Sequence, residues 1–275
     1  MIAQTIVDRW SRSATIIDER RRATSERRRS ERAALNDEMQ ALLSSFLRAS
    51  FPPALPEVEG LQFEALYLSC GGSIIGGDWY DALGLPDGSV AVALGDVSGH
   101  GVEAAALMGK LRYSMRVVTL RANALQSGGA ASVLQIVEDG LLSEHPDASA
   151  TAFLGIISPD RTRMQYASAG HPPPLVVKAS RETAWLEPGE TPLGWGNGEG
   201  RSDHVIDLTD VRGLILYTDG VIEAGRDIVE GLERLRRAAG DADVQNAKDL
   251  LPRIVEASLV APPHDDITML AVTFD

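Results

Sequence analysis

Four short acidic stretches constrain this chain more than any other feature, because three of them join an aspartate to an apolar run suited to a β-strand. They are Gly76-Gly77-Asp78-Trp79-Tyr80-Asp81, Gly95-Asp96-Val97-Ser98-Gly99-His100-Gly101, Tyr217-Thr218-Asp219-Gly220 and His264-Asp265-Asp266-Ile267-Thr268. A carboxylate at the edge of a buried strand loses hydration and needs a compensating partner. Several such aspartates, with no cysteine and few histidines near them, indicate hard divalent cations held by oxygen. The sequence therefore predicts a Mg²⁺- or Mn²⁺-dependent hydrolase.

Composition narrows the class of protein. The 275 residues are 44% hydrophobic and 24% charged, which suits one large globular domain or two smaller ones. No apolar run reaches the roughly 18 residues of a membrane span, so no membrane association is predicted. Asp8, Arg9 and Arg12 interrupt any signal-peptide core. Cys70 is the single cysteine, which excludes an intrachain disulfide and fits a reducing cytoplasm.

Charge is distributed unevenly along the chain. Residues 1–50 carry 10 Arg against 7 Asp and Glu, a net charge of +3, which leaves −16 for the rest of a chain whose total is −13. An acidic body argues against nucleic acid as the main substrate. The clusters Arg20-Arg21-Arg22 and Arg27-Arg28-Arg29 leave open a basic arm that contacts nucleic acid or lipid. The interleaved Glu26 and Glu31 favour a solvated helix face instead.

Residues 1–50 predict a helical regulatory segment that precedes a larger domain over residues 51–275. Neither proline nor glycine occurs before Pro52, and good helix formers dominate from Ile17 onward. Four apolar residues follow the 4-3-4 spacing of a short coiled-coil seam: Leu35, Met39, Leu42 and Phe46. Because this helix has little core of its own, we expect it to form a homodimer or to contact an activator.

Beyond Gly60 the apolar pattern predicts an α+β fold. Alternation predicts strands at Leu61–Leu68, Asp78–Leu85, Ser89–Asp96, Ala150–Ile157, Met164–Ala169, Pro174–Lys178, His204–Leu208, Gly213–Tyr217 and Ile267–Phe274. Helices are predicted at Gly101–Leu125, Ala130–Leu142, Ile228–Ala239 and Asn246–Leu259. Strands, two helices, strands, two helices and a last strand favour a layered sandwich over a parallel doubly wound sheet.

Asp96 is the candidate centre of the site. It follows the apolar run Val90–Leu94 and precedes a tight turn, Ser98–Gly101, whose backbone carbonyls can face a metal ion. Two metals about 3.5–4 Å apart would lower the pKa of a bridging water and clamp a phosphoryl group. Hydrolysis would then need no protein nucleophile. His100 lies in the same turn and is a candidate for proton transfer.

Together with Ala169-Gly170-His171-Pro172-Pro173, Pro192-Leu193-Gly194 and Val221-Ile222-Glu223-Ala224, the acidic stretches resemble the SpoIIE/RsbU-type branch of the PPM (2C-type) serine/threonine phosphatases. The resemblance runs from about Leu55 to Phe274. It implies a β-sandwich of two antiparallel sheets flanked by helix pairs, with two divalent metal ions, Mn²⁺ or Mg²⁺, at one edge. It also implies the ligands: Asp96 bridging both metals, the Val97 carbonyl, Asp78, Asp219 and Asp265, with Asp266 as a substitute or a ligand through water.

The resemblance further implies a substrate and a pathway. The family acts on a phosphorylated STAS-domain anti-sigma-factor antagonist, and dephosphorylation lets that antagonist capture an anti-sigma kinase and free a sigma factor. Residues 1–50 would be the regulatory input. Cys70-Gly71-Gly72-Ser73 replaces the usual proline-containing approach to the first motif, and the segment after Glu223 is short. Both departures bear on the fit of the substrate rather than on the carboxylates.

Three alternative functions each fit a part of the sequence. A non-catalytic scaffold of the same fold would bind a STAS protein or an anti-sigma kinase, but it would not need the full carboxylate set. A nucleotidyl cyclase would continue Gly76-Gly77-Asp78 with Glu-Phe, whereas Trp79-Tyr80 follows here. A nucleic-acid-binding arm over residues 1–50 would show salt-sensitive DNA binding.

Overall fold

A computed structural model describes residues 25–43, 45–46, 49–69, 76–124, 128–196, 200–225, 227–242 and 249–275. The chain divides into two compact units, Met1–Phe46 and Leu47–Asp275. The cluster Arg20-Arg21-Arg22 and Cys70 lie outside the described residues.

The first unit contains helix α1, which covers residues 25–43. Its basic residues are exposed, and Arg27 pairs with Glu31 one turn later at 2.8 Å between Nε and Oε1. This pairing agrees with a solvated helix face in the described part of the segment. The predicted coiled-coil seam is also exposed, at 62% for Leu35 and 62% for Leu42.

Among the described residues, the second unit forms two antiparallel sheets of five strands each. The strands are β1 Leu61–Leu68, β2 Asp78–Gly84, β3 Val90–Val97, β4 Ala150–Ile157, β5 Arg163–Ala169, β6 Leu175–Lys178, β7 Thr183–Trp185, β8 His204–Asp207, β9 Val211–Tyr217 and β10 Ile267–Phe274. The first sheet has the order β1-β10-β9-β6-β7 and the second the order β2-β3-β4-β5-β8. The predicted sandwich of two antiparallel sheets is therefore confirmed.

Strand β10 shows why the two sheets stack. Every residue of the strand is buried. Leu270 and Val272 face the core between the two sheets, whereas Met269 and Ala271 face the helices that cover the outside of the first sheet. Because side chains alternate along a strand, a strand buried on both faces is mostly apolar, and β10 departs from this only at Thr268 and Thr273.

Helices cover the outer face of each sheet. Helices α2 (Val102–Ala124) and α3 (Ala130–Glu144) pack on the second sheet through residues such as Met108 and Leu134. Helices α4 (Gly220–Glu223), α5 (Ile228–Asp241) and α6 (Leu250–Ser258) cover the first sheet. No helix in the described part of the chain has both the length and the hydropathy to cross a bilayer.

The observed elements differ from the predicted ones at a few ends. Strand β7 and helix α4 were not predicted, because three and four residues are too few to establish a period. Helix α6 covers Leu250–Ser258, and its predicted start at Asn246 lies outside the described residues. Helix α5 begins where Asp227 accepts a hydrogen bond from the Glu230 backbone N–H at 3.0 Å, a normal N-cap.

Candidate metal centre

The β2–β3 hairpin brings Asp78 and Asp96 together, since the two residues are direct cross-strand partners. Both side chains are withdrawn from water. Burial raises the pKa of Asp78 well above its usual value, and the nearby charge of Asp96 raises it further. Burial also raises the pKa of Asp96 to about 7, with the charge of Asp219 adding to the effect. Two facing carboxylates with raised pKa values indicate uncompensated negative charge.

The first sheet supplies a second pair of carboxylates. Strands β9 and β10 are antiparallel neighbours, so Asp219, just after β9, and Asp265, just before β10, lie at the same end of the sheet. Burial raises the pKa of Asp219 to about 6, and the charges of Glu223 and Asp265 raise it further. Asp219 is the N-cap of α4, and backbone hydrogen bonds from Gly220 and from Asp219 itself partly offset the rise of its pKa.

Thr218 connects the two sheets at the edge of the sandwich where Asp78, Asp96, Asp219 and Asp265 lie, the carboxylate edge. Its hydroxyl donates to Asp78 Oδ2 at 2.8 Å and accepts a hydrogen bond from the Thr268 backbone N–H at 2.9 Å. The carboxylate of the second sheet is therefore oriented by a residue of the first. Thr218 was not predicted to be a site residue, although it directly precedes Asp219 in the third acidic stretch.

Asp265 and Asp266 have different surroundings. Asp265 is exposed, and its Oδ1 accepts a hydrogen bond from the Asp266 backbone N–H at 2.8 Å. Asp266 is buried, and its Oδ2 accepts a hydrogen bond from the Tyr67 hydroxyl at 2.9 Å. Sequence reasoning also missed Tyr67, which lies in β1, outside all four acidic stretches.

The glycines of the acidic stretches allow the backbone to approach these carboxylates. A Cβ at Gly77 would overlap the Val97 carbonyl oxygen and lie 3.0 Å from Asp96 Oδ1. A Cβ at Gly76 would overlap the Asp266 carboxylate, and one at Gly220 would overlap the Asp266 carbonyl. Any side chain at these positions would therefore fill the space beside the oxygen atoms that face this edge.

The two histidines named by the sequence analysis have contrasting environments. His100 is exposed on the turn after β3, four residues beyond Asp96. His171 is buried, with Nδ1 at 2.9 Å from the hydroxyl of Thr151, which is the cross-strand partner of Asp96. Burial lowers the pKa of His171 to about 3, so the ring is neutral at physiological pH. His171 thus helps to hold Thr151, and with it the strand beside Asp96, in place.

These residues suit hard divalent cations in two respects. The donors are carboxylate and carbonyl oxygens, and a bound cation would offset both the burial and the mutual repulsion that raise the pKa values of Asp96 and Asp219. Within the described ranges, no three acidic, histidine or cysteine side chains converge into a ready-made cage. Mg²⁺ sites commonly use one or two carboxylates and keep several waters, so an open arrangement of this kind is sufficient.

Comparisons with known proteins agree with this geometry. Residues 86–275 match the family model described as Stage II sporulation protein E (SpoIIE). The chain is 25% identical to phosphoserine phosphatase RsbU of Bacillus subtilis, over 79% of this chain and 64% of RsbU. It spans between 39% and 64% of the length of the curated relatives that it matches.

Solved structures give the same result. The crystal structure of the RsbU and RsbW domains of Rv1364c from Mycobacterium tuberculosis superposes with a TM-score of 0.66 at 31% identity, covering 82% of this chain and 63% of that one. The SiaA-PP2C domain of Pseudomonas aeruginosa superposes with a TM-score of 0.67 at 21% identity, covering 89% of this chain and 98% of that one. The second match supports the fold alone.

The two stacked antiparallel sheets, with helices on both outer faces, define the class of this protein as one with the PP2C-type fold. Within that class, the chain belongs to the SpoIIE family, in its SpoIIE/RsbU-type branch. The resemblance carried by the sequence motifs is therefore confirmed.

Proposed function

We propose that this chain is a Mg²⁺- or Mn²⁺-dependent protein serine/threonine phosphatase whose substrate is a phosphorylated STAS-domain anti-sigma-factor antagonist in a bacterial partner-switching pathway. The observation that carries the proposal is that Asp78 and Asp96 of one sheet and Asp219 and Asp265 of the other lie near enough for the charge of Asp96 to interact with each of the other three. The name of RsbU, a phosphoserine phosphatase, supports the choice of reaction. We assign the reaction to the cytoplasm, in keeping with the single Cys70.

Each residue of the edge has a role in this proposal. Two bound divalent cations would lower the pKa of a water for attack on phosphorus and neutralise charge on the phosphoryl group. The chain would hold them through Asp96 as the shared ligand, the Val97 carbonyl, Asp78, Asp219 and Asp265. In this proposal Asp266, whose Oδ2 accepts a hydrogen bond from Tyr67, supports the neighbouring Asp265 and is not itself a direct ligand.

Residues around the ligands orient them and serve proton transfer. Thr218 fixes one carboxylate oxygen of Asp78, which reduces the freedom that metal binding would otherwise remove. His100 is exposed beside the site and remains our candidate for moving a proton to or from solvent. We place the phosphatase domain at residues 51–275 and the regulatory segment at residues 1–50.

Metal-dependent hydrolysis is the direct test. We expect the full chain to hydrolyse p-nitrophenyl phosphate with Mn²⁺ or Mg²⁺ and to lose that turnover in EDTA, because the carboxylate edge alone has no means of activating water. A STAS protein carrying phosphoserine should be dephosphorylated under the same conditions. A pure wild-type chain that binds Mn²⁺ but hydrolyses neither compound would favour the non-catalytic scaffold.

The exposed apolar stripe of α1 leads to a proposal about assembly. Its residues within α1 are all more than a third exposed: Leu35, Met39 and Leu42, at 62%, 51% and 62%. A stripe at heptad spacing is stable in water when a second helix covers it. We therefore propose that residues 1–50 dimerise, with an activator as the alternative partner.

Negative charges introduced into the apolar stripe test this assembly. Leu35→Glu combined with Leu42→Glu should convert a dimer into a monomer, as measured by light scattering with size-exclusion chromatography, because buried glutamates oppose the seam. The matched control is Ala33→Glu with Gln40→Glu, which adds the same charge at heptad positions outside the seam. Unchanged mass and unchanged activity in the first variant would show that the stripe has neither role.

A further inference from the structure

The hydroxyl of Tyr67 lies where two of the acidic stretches meet. Tyr67 is near the end of β1 and is the cross-strand partner of Thr268 in β10. Its Oη donates to Asp266 Oδ2 at 2.9 Å. The Gly76 backbone is hydrogen-bonded to the same hydroxyl, so this one group joins the Gly76-Gly77-Asp78 stretch to the Asp265-Asp266 stretch.

Asp266 in turn contacts Asp265. The Asp266 backbone N–H donates to Asp265 Oδ1 at 2.8 Å, so the orientation of one residue limits that of the other. The Asp266 carbonyl packs against Gly220, directly after Asp219, where no Cβ can be accommodated. A turn held on both sides in this way has little freedom to shift unless the Tyr67 contact is broken.

We propose that Tyr67 is a positioning residue for the metal centre: by donating to Asp266 it holds the Asp265-Asp266 turn in the conformation that binds metal. The inference rests on the proposed function, which assigns Asp265 as a ligand. Tyr67 itself touches neither substrate nor metal in this proposal. Groups that orient metal ligands typically change metal affinity or activity by about 10–100-fold when removed.

The ring of Tyr67 is held independently of its hydroxyl. Phe51 packs against it with ring centroids 5.1 Å apart, and Phe51 also stacks on Tyr80 at 5.1 Å. Burial raises the pKa of Tyr67 above its usual range, with the charge of Asp266 adding to the effect, so the hydroxyl remains a donor. Removing the hydroxyl should therefore leave the aromatic cluster in place.

Tyr80 provides a matched control because it shares the aromatic cluster but not the contact. Burial and the charge of Asp81, rather than that of Asp266, raise the pKa of its hydroxyl. Tyr80→Phe and Tyr67→Phe remove the same atom from two rings that pack on the same Phe51. A difference between the two variants therefore reports on the link to Asp266.

The experiment compares full-length wild type, Tyr67→Phe and Tyr80→Phe by titrating Mn²⁺ into metal-free protein in a calorimeter, with thermal unfolding in EDTA measured beside it. We expect Tyr67→Phe to bind Mn²⁺ about 10–100-fold more weakly while its metal-free unfolding midpoint matches that of Tyr80→Phe. Tyr80→Phe should bind like wild type. With saturating Mn²⁺, Tyr67→Phe should regain most of the wild-type turnover, which distinguishes positioning from a part in the chemistry.

A double variant tests the route through Asp266. If Tyr67 acts by way of this residue, Tyr67→Phe should add no further loss of Mn²⁺ affinity to Asp266→Ala, which removes the acceptor of the hydrogen bond. Wild-type Mn²⁺ affinity in Tyr67→Phe, equal losses in the two tyrosine variants, or fully additive losses in the double variant would each overturn the inference and leave the proposed function standing. A wild-type chain that binds no Mn²⁺ would overturn both.

Discussion

Asp96→Asn should reduce metal-dependent hydrolysis by roughly 10³-fold or more, because a shared ligand supports several kcal/mol of charge stabilisation and each 1.36 kcal/mol is tenfold in rate. The substitution preserves shape and removes charge. Asp219→Asn should act in the same way, since Asp219 faces Asp96 from the other sheet. The measurement is turnover of p-nitrophenyl phosphate across a range of Mn²⁺ concentrations.

The same variant should be more stable than wild type when no metal is bound. Burial raises the pKa of Asp96 to about 7, so the folded state holds this proton more tightly than the unfolded chain does. The contribution of Asp96 to wild-type stability is therefore lost as pH rises from about 4 to about 7, and the asparagine variant lacks this part of the loss. The difference in unfolding midpoint in EDTA should be largest above pH 7 and should shrink toward pH 4.

Asp139→Asn is the control for both effects, because Asp139 lies exposed on α3 and contacts Gln135 one turn away. It should change neither turnover nor the pH dependence of stability. Wild-type turnover in Asp96→Asn or Asp219→Asn would remove the basis for the metal assignment. A pH-independent difference in midpoint would show that Asp96 carries no excess charge at this edge.

Asp81→Ala should lower the free energy of unfolding by about 3–5 kcal/mol, because it leaves buried guanidinium groups without their counter-charge. Asp81 is 2% exposed and accepts hydrogen bonds from Arg112 Nη1 at 3.2 Å and from Arg116 Nε at 2.8 Å. Arg112 also donates to the Ser50 carbonyl at the start of the second unit. Equilibrium unfolding in urea measures the loss.

Glu144→Ala is the matched control for this ion-pair network. It removes an acidic partner from Lys110, in a pair whose two side chains are 56% and 67% exposed. Exposed pairs contribute about 0–1 kcal/mol, so the control should remain close to wild type. A loss in Asp81→Ala no larger than that of the control would contradict the claim that this network is needed for stability.

Much of the fold could be predicted because its longer elements carry their own pattern. The apolar run Met269–Val272 indicated the last strand, and the order of strands and helices indicated a layered sandwich. Strand β7 and helix α4 carry no such pattern, because they occupy a sheet edge and a turn where tertiary packing decides the conformation.

The acidic stretches were recognised from sequence because a carboxylate next to a buried strand is costly wherever it occurs. The motifs of the amino-acid sequence therefore determined the family, the antiparallel sandwich and the candidate carboxylates. The resemblance assigned Asp265 as the ligand and Asp266 as a substitute or a ligand through water, but only the structure shows that Asp265 is exposed and Asp266 buried.

Tertiary structure decided which groups orient those carboxylates. Tyr67 meets Asp266 across 199 positions of the chain, and Thr218 meets Asp78 across 140. Such contacts depend on how the two sheets pair and stack, which no local periodicity encodes. The sequence thus determined which residues can hold a metal, and the fold determined which of them are exposed, which are occupied by hydrogen bonds and which share an edge.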